Sequence, residues 1–357
     1  MAVALAPAAK KKIGFPARAY ISSGGFKQVR FCVLGDPCAG EGGRDGLGLA
    51  RQYPPGCEVF LRNGTMVSLM IPAWLDNKEY PFRHHYFPVP AGNLHYVDEG
   101  SGDPIVFVHG NPAWSFLFRN LIRDFSATHR CIAPDHIGFG LSDKPEDWTY
   151  LPEEHAENLA LLLDSFGLEN ITLVVGDWGG PIGISYAIKN PGKVRNIVIT
   201  NTWLWSVASD WYYQAFSRFV GGPVGRWLIR NRNFFITTIM PAVFGDKRRL
   251  TPEIHRQYLM ALAGPRERKG CWVFPGEIIG SSAWLSSLWE QRNALLEKNI
   301  ILAWGMRDIA FREKELDQWI SAFPHARVVR FSDAGHFVAE EKPVELAREM
   351  RALLSMV

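Results

Sequence analysis

Six short apolar runs, rich in β-branched residues, alternate with helical patterns in this chain, and this alternation restricts its architecture more than any other feature. The runs are Pro104–His109 (PIVFVH), Arg130–Pro134 (RCIAP), Ile171–Gly176 (ITLVVG), Val194–Thr200 (VRNIVIT), Asn299–Trp304 (NIILAW) and Ala326–Phe331 (ARVVRF). They are continuously apolar, not alternating, as strands buried on both faces must be. Helical patterns cover Arg119–Phe125, Glu153–Phe166 (stopped by Gly167), Pro181–Asn190 and Val344–Leu354. Leu94–Val97 reads as a further strand, and regular structure begins near Tyr80. Strands joined by helical crossovers give an α/β fold: a mostly parallel central sheet flanked by helices on both faces.

The alternation fails between residues 202 and 298, where the sequence is helical, aromatic and broken by Pro and Gly. The expected organisation is a main domain over 76–201 and 299–357, interrupted by an inserted helical cap over 202–298. Much of the aromatic content falls in this region, and Trp205, Phe216, Phe219, Phe235 and Phe244 are the expected cap contribution to a pocket. Residues 1–75 differ from the rest. They are rich in Gly, Ala and Arg with weak periodicity, and read as a poorly ordered N-terminal extension.

Charge and cysteine content restrict the function classes. The 39 basic and 36 acidic residues leave a net charge of +3, which gives no reason to expect nucleic acid or a membrane as partner. The five cysteines form no CxxC pair or Cys/His cluster of metal-ligand spacing, so no metal is expected. Such usage fits a reducing compartment, and the cytoplasm is the expected location. No segment is apolar enough to span a bilayer. The short apolar start precedes the first lysines, the reverse of a secretory signal.

The chemistry centres on Val174-Val175-Gly176-Asp177-Trp178-Gly179-Gly180, which ends a buried strand and opens a helix. A nucleophile there stands on a sharp turn above the sheet, and small neighbours let strand and helix backbones approach. The residue at the tip is Asp. A carboxylate attacks carbonyls poorly but displaces a leaving group from saturated carbon, forming an alkyl ester. A helix N-cap is the other role open to an Asp at this place.

Two further residues follow in the order nucleophile, acid, base. Asp308 lies just past one strand in Trp304-Gly305-Met306-Arg307-Asp308, and His336 lies in the loop after the next. Asp308 would hold the imidazole tautomer. The first strand leads into His109-Gly110-Asn111-Pro112, at the carboxyl edge where open α/β sheets bind ligands. The backbone N–H groups of Asn111 and Trp178 would form an oxyanion hole, and Pro112 is a candidate for a cis bond.

The motifs HGNPAWSFLFRNLI, PDHIGFGLSDKP, VVGDWGGPIG, WGMRDIAF and DAGHFVAEEKP resemble those of the haloalkane dehalogenases in order and spacing, over residues 80–357. The resemblance implies an α/β-hydrolase fold, a haloalkane substrate, halide as product and no cofactor. It implies Asp177 as nucleophile, His336 as base, Asp308 as acid, and Asn111 and Trp178 as halide donors. Asp308 after the later strand, together with Asn111, is most similar to the third subfamily, which implies a homo-oligomer. An epoxide hydrolase, with the same Asp–His–Asp triad and Tyr212, Tyr213 or Tyr258 activating the ring oxygen, is the alternative.

Overall fold

The computed structural model describes residues 71–355 and the backbone of four strands nearer the N-terminus. The chain divides into two compact units, residues 1–71 and 72–357. In the first, β1 (Ala17–Ile21) pairs antiparallel with β2 (Val29–Val33), and β3 (Glu58–Arg62) with β4 (Thr65–Leu69). The rest of the extension expected over 1–75, apart from residues 71–75, lies outside the described residues.

The second unit is built on eight strands: β5 (His85–Val89), β6 (Gly92–Glu99), β7 (Pro104–Val108), β8 (Arg130–Pro134), β9 (Ile171–Gly176), β10 (Val194–Thr200), β11 (Asn299–Gly305) and β12 (Arg327–Phe331). Their spatial order is β12-β11-β10-β9-β7-β8-β6-β5. Pairings from β8 through β12 are parallel, whereas β6 runs antiparallel to both β5 and β8. Every residue of β7 is buried, as its continuous apolar sequence requires. Strand β12 lies at the sheet edge and is largely half-buried or exposed.

Helices α1 (Arg119–Phe125), α2 (Pro152–Phe166) and α3 (Gly179–Lys189) connect the strands up to β10. Between β10 and β11 come α4 (Trp211–Val220), α5 (Pro223–Arg232), α6 (Met240–Val243), α7 (Pro252–Ala261), α8 (Lys269–Gly280) and α9 (Ser282–Glu290), with a π-helical turn at Phe235–Ile239. Then α10 (Glu313–Ala322), α11 (Val338–Glu341) and α12 (Pro343–Leu354) complete the unit. Sequence reasoning misses β5 and α10. The first is a short edge strand, mostly half-buried and interrupted by Pro88. The second begins four residues past Ile309 and mixes charge with an apolar stripe that buries Leu316 and Trp319.

The crossovers place the carboxyl ends of β7, β9, β10 and β11 side by side. Asp177 follows β9, Asn111 follows β7, and Asp308 follows β11. The loop after β12 brings in His336.

Candidate active site

The turn after β9 holds Asp177 at φ 48°, in the left-handed region that costs free energy for any residue but Gly. Two hydrogen bonds anchor it: the Asp177 amide donates to Asn201 O at 3.0 Å, and the Gly180 amide donates to Asp177 O at 2.9 Å. Glycine is required on both sides of the crevice. A Cβ on Gly179 would run into the Val108 carbonyl, and one on Gly110 would run into the Asp177 carboxylate. The backbone therefore closes so tightly around this carboxylate that its position is fixed by sterics. The Asn111–Pro112 bond is cis, as the sequence suggested.

The five expected site residues come together here. The Asn111 amide donates to Asp177 Oδ1 at 2.6 Å, and the Trp178 amide also donates to this carboxylate. His336 Nε2 stands 3.8 Å from Asp177 Oδ2. On its other edge, His336 Nδ1 meets Asp308 Oδ2 at 2.9 Å. Oδ1 of Asp177 is thus tied to the Asn111 amide while Oδ2 faces the imidazole. Trp178, whose ring is buried, lines the same pocket as Asp177, Asn111 and His336.

Two further residues hold this arrangement in place. Asn201 Nδ2 donates to Asp308 Oδ2 at 2.9 Å, and Asn201 Oδ1 accepts from the Gly305 amide at 2.8 Å. Asn201 thereby locks the acid to the end of its own strand. Glu341 accepts from the amides of Gly335 at 2.9 Å and Asp246 at 2.8 Å. With the His336 amide donating to Val243 O at 2.9 Å, it braces the histidine loop against the segment after α6. Sequence reasoning does not single out Asn201. The signal was there: a polar side chain at the carboxyl end of a buried strand must find partners inside.

Burial is the largest influence on Asp177 and raises its pKa above the ordinary carboxylate value; His336 and the two amides oppose it. For His336, burial alone would lower the pKa. The Asp308 carboxylate, its hydrogen bond and the charge of Asp177 outweigh this and lift it to about 9.

Above the triad lies a cavity of about 240 Å³, walled almost entirely by apolar groups. Of the expected cap residues, Phe216 and Phe235 line it. The other three do not. Trp205 packs edge-on against Trp289 and Trp319 in the core. Phe244 is buried against Phe337. Phe219 is 56% exposed, because it shares the outer stripe of α4 with Trp211 and Ala215 at helical spacing. The unanticipated walls include Met240, Val243, Ile278 and Phe311.

The three tyrosines proposed for ring-oxygen activation are all engaged elsewhere. Tyr212 donates to Ile309 O at 2.6 Å and Tyr213 to Ala310 O at 2.9 Å, although both border the cavity. Tyr258 is fully buried, donates to Glu340 at 2.9 Å, and is not part of the cavity wall.

A family model described as alpha/beta hydrolase fold matches residues 103–343. Haloalkane dehalogenase 2 of Mycobacterium tuberculosis (strain ATCC 25618 / H37Rv) is 37% identical over 274 residues, which cover 76% of this chain and 95% of that protein. This chain belongs to the haloalkane dehalogenase family of α/β hydrolases. The haloalkane dehalogenase DatA from Agrobacterium tumefaciens C58 superimposes with a TM-score of 0.69 at 29% identity, covering 76% of this chain and 96% of that structure. A second kind of relative is also similar. The cis-3-alkyl-4-alkyloxetan-2-one decarboxylase of Shewanella oneidensis is 33% identical over 294 residues, covering 77% of this chain and 89% of that protein. The turn at Asp177, Asp308 and the His336 loop all lie within residues 103–343, the range that the alpha/beta hydrolase fold model matches.

Proposed function

We propose that this protein hydrolyses carbon–halogen bonds of apolar haloalkanes through a covalent ester on Asp177. The observation that carries the reading is the arrangement of Asp177. One carboxylate oxygen accepts from the Asn111 amide, the other faces His336, and Asn111 and Trp178 line the apolar cavity beside it. Asp177 Oδ2 attacks the halogen-bearing carbon in line, the carbon–halogen bond breaks, and halide leaves with the bonding pair. The Trp178 indole and the Asn111 carboxamide are donors that meet this negative charge without bringing a charge of their own. A water then loses its proton to His336 Nε2 and attacks Cγ of the ester. The negative charge that develops on Oδ1 falls on the Asn111 amide that already holds it. The collapse releases the alcohol and regenerates the Asp177 carboxylate, and the proton leaves His336 for solvent.

Alkylation itself prepares the base. The free carboxylate of Asp177 helps hold His336 protonated. Esterification removes that charge, so the imidazole pKa falls and the neutral form required for the second half-reaction becomes available. The rate of ester hydrolysis should therefore fall on the acid side, as His336 takes up a proton. Replacing Asp308 with Asn removes the main cation-stabilising charge, so this acid limb should move to lower pH while the maximal rate drops. Single-turnover halide and alcohol release across pH would check it; an unmoved limb would assign it to another group.

Trp178→Phe removes one halide donor and keeps the packing. Halide release should fall by about 10²- to 10³-fold, the cost of one oxyanion-type donor. Halide-dependent quenching of tryptophan fluorescence should weaken in parallel. The experiment that tests the reading as a whole is halide release from a panel of brominated, iodinated and chlorinated alkanes, with Asp177→Ala as control.

A second reading has its own support, the likeness to the oxetan-2-one decarboxylase. A β-lactone bearing two alkyl arms suits an apolar cavity, and its ring opens to an alkene and carbon dioxide. Adding a cis-3,4-dialkyl oxetan-2-one to the panel and measuring alkene separates the two activities. The proposed homo-oligomer is read from the size of the purified chain in gel filtration. Buried, unpaired Cys131 and Cys271 support the proposed reducing, cytoplasmic location.

A further inference from the structure

The near-even charge of the whole chain conceals a strong local imbalance. Residues 211–245 contain Arg218, Arg226, Arg230 and Arg232 and not one Asp or Glu. All four arginines are exposed, and none enters an ion pair among the described residues. The helices that carry them, α4 and α5, also expose large apolar side chains. Trp211 is 76% exposed, Val224 61%, Phe219 56% and Trp227 55%. Leaving two tryptophans in water is unfavourable, and such aromatic–apolar exposure marks an interaction surface.

The two features meet in a groove between α5 and the turn at Gly264–Glu267. Arg226, Trp227, Arg230, Arg266 and Trp272 line it, and the Arg226 guanidinium stands 5.7 Å from the Trp272 ring centroid. Glu267, the one carboxylate in its wall, is occupied by accepting the Gly264 amide at 2.6 Å. The groove offers cations and aromatic faces together.

We propose that the α4–α5 surface docks this protein on an anionic lipid surface, with headgroup phosphates on Arg226 and Arg230 and Trp227 at the acyl boundary, Arg266 being already paired with Glu146 at 3.2 Å. Arginine beside tryptophan on an amphipathic helix is the composition such an interface selects. Charge complementarity chooses this occupant over a second copy of the chain. A two-fold contact would set the arginines of one copy, on helices without an Asp or Glu, against those of another. The same stretch carries the mouth of the apolar cavity, because Thr238 and Ala242 are both exposed and line it. The proposal does not depend on which reaction the cavity performs.

The test is sedimentation of the full chain with vesicles of phosphatidylcholine, with and without phosphatidylserine. Binding should require phosphatidylserine and weaken as salt is added. The double variant R226Q/R230Q should bind roughly 25-fold more weakly, the loss expected for two arginine–lipid contacts. W227S should also lose binding, with near-ultraviolet circular dichroism and release of halide from dissolved 1-bromobutane unchanged. Equal binding to phosphatidylcholine alone, no binding at all, or full binding by the double variant would each overturn the proposal. So would a dimer in gel filtration that W227S dissociates without any effect on lipid, which would assign the surface to a second copy.

Discussion

Replacing Asp177 with alanine should lower halide release by about 10⁴- to 10⁶-fold, the scale seen when a covalent nucleophile is removed from a preorganised site. No neighbour can take over. The left-handed backbone at Asp177 and the glycines around it leave room for one side chain at the tip of the turn, and the amide donors aim at that side chain alone. The other acid in reach, Asp308, is committed to His336, Asn201 and the Ala310 amide. His336→Ala should be equally slow in turnover but for a different reason: alkylation survives and hydrolysis stops. The two variants thus separate the half-reactions. The measurement is multiple-turnover halide release compared with the first-turnover burst, which should persist in His336→Ala and vanish in Asp177→Ala.

The second large effect concerns stability. Arg119 and Glu340 are both 2% exposed and form a two-pronged pair at 2.6 and 2.7 Å. Glu79, at 3.1 Å from Arg119 Nε, and Tyr258, at 2.9 Å from Glu340, complete the network, and the Phe116 ring lies 4.1 Å from the guanidinium carbon. The network therefore ties α1, α7 and α11 together, and α11 begins two residues past His336. Arg119→Ala would strand a buried carboxylate and should cost about 3–5 kcal/mol. Replacing both partners with apolar side chains of similar size should cost far less, because no uncompensated charge remains. Urea denaturation of the single and double variants measures both. Equal losses would mean that packing, not charge, dominates at this position.

The sequence shows some of this plainly and hides the rest. The convergence of Asp177, Asp308 and His336 is legible because each position obeys a local rule: a tight strand–turn–helix with glycines, or a polar residue in the loop past a strand. Strands β7 to β11 are legible for the same reason, since continuous β-branched runs have few other solutions. The extent of the cavity wall is not local. Which faces of α4 turn inward depends on how α4 packs on α8, so Phe216 and Phe219 cannot be told apart by composition. The network of Arg119, Glu340 and Tyr258 joins residues up to 221 positions apart, and nothing in the chain order marks them as partners. The arginine-rich, acid-free stretch was present in the sequence, yet averaging charge over 357 residues erased it.

The central claim is that Asp177 forms a covalent ester which His336 resolves. Its most direct test is the intact mass of His336→Ala after incubation with 1-bromobutane, followed by peptide mapping. The expected result is a stable gain of one butyl group, located on Asp177 and absent from the Asp177→Ala/His336→Ala double variant. An unmodified protein, or a butyl group on any other residue, would contradict it.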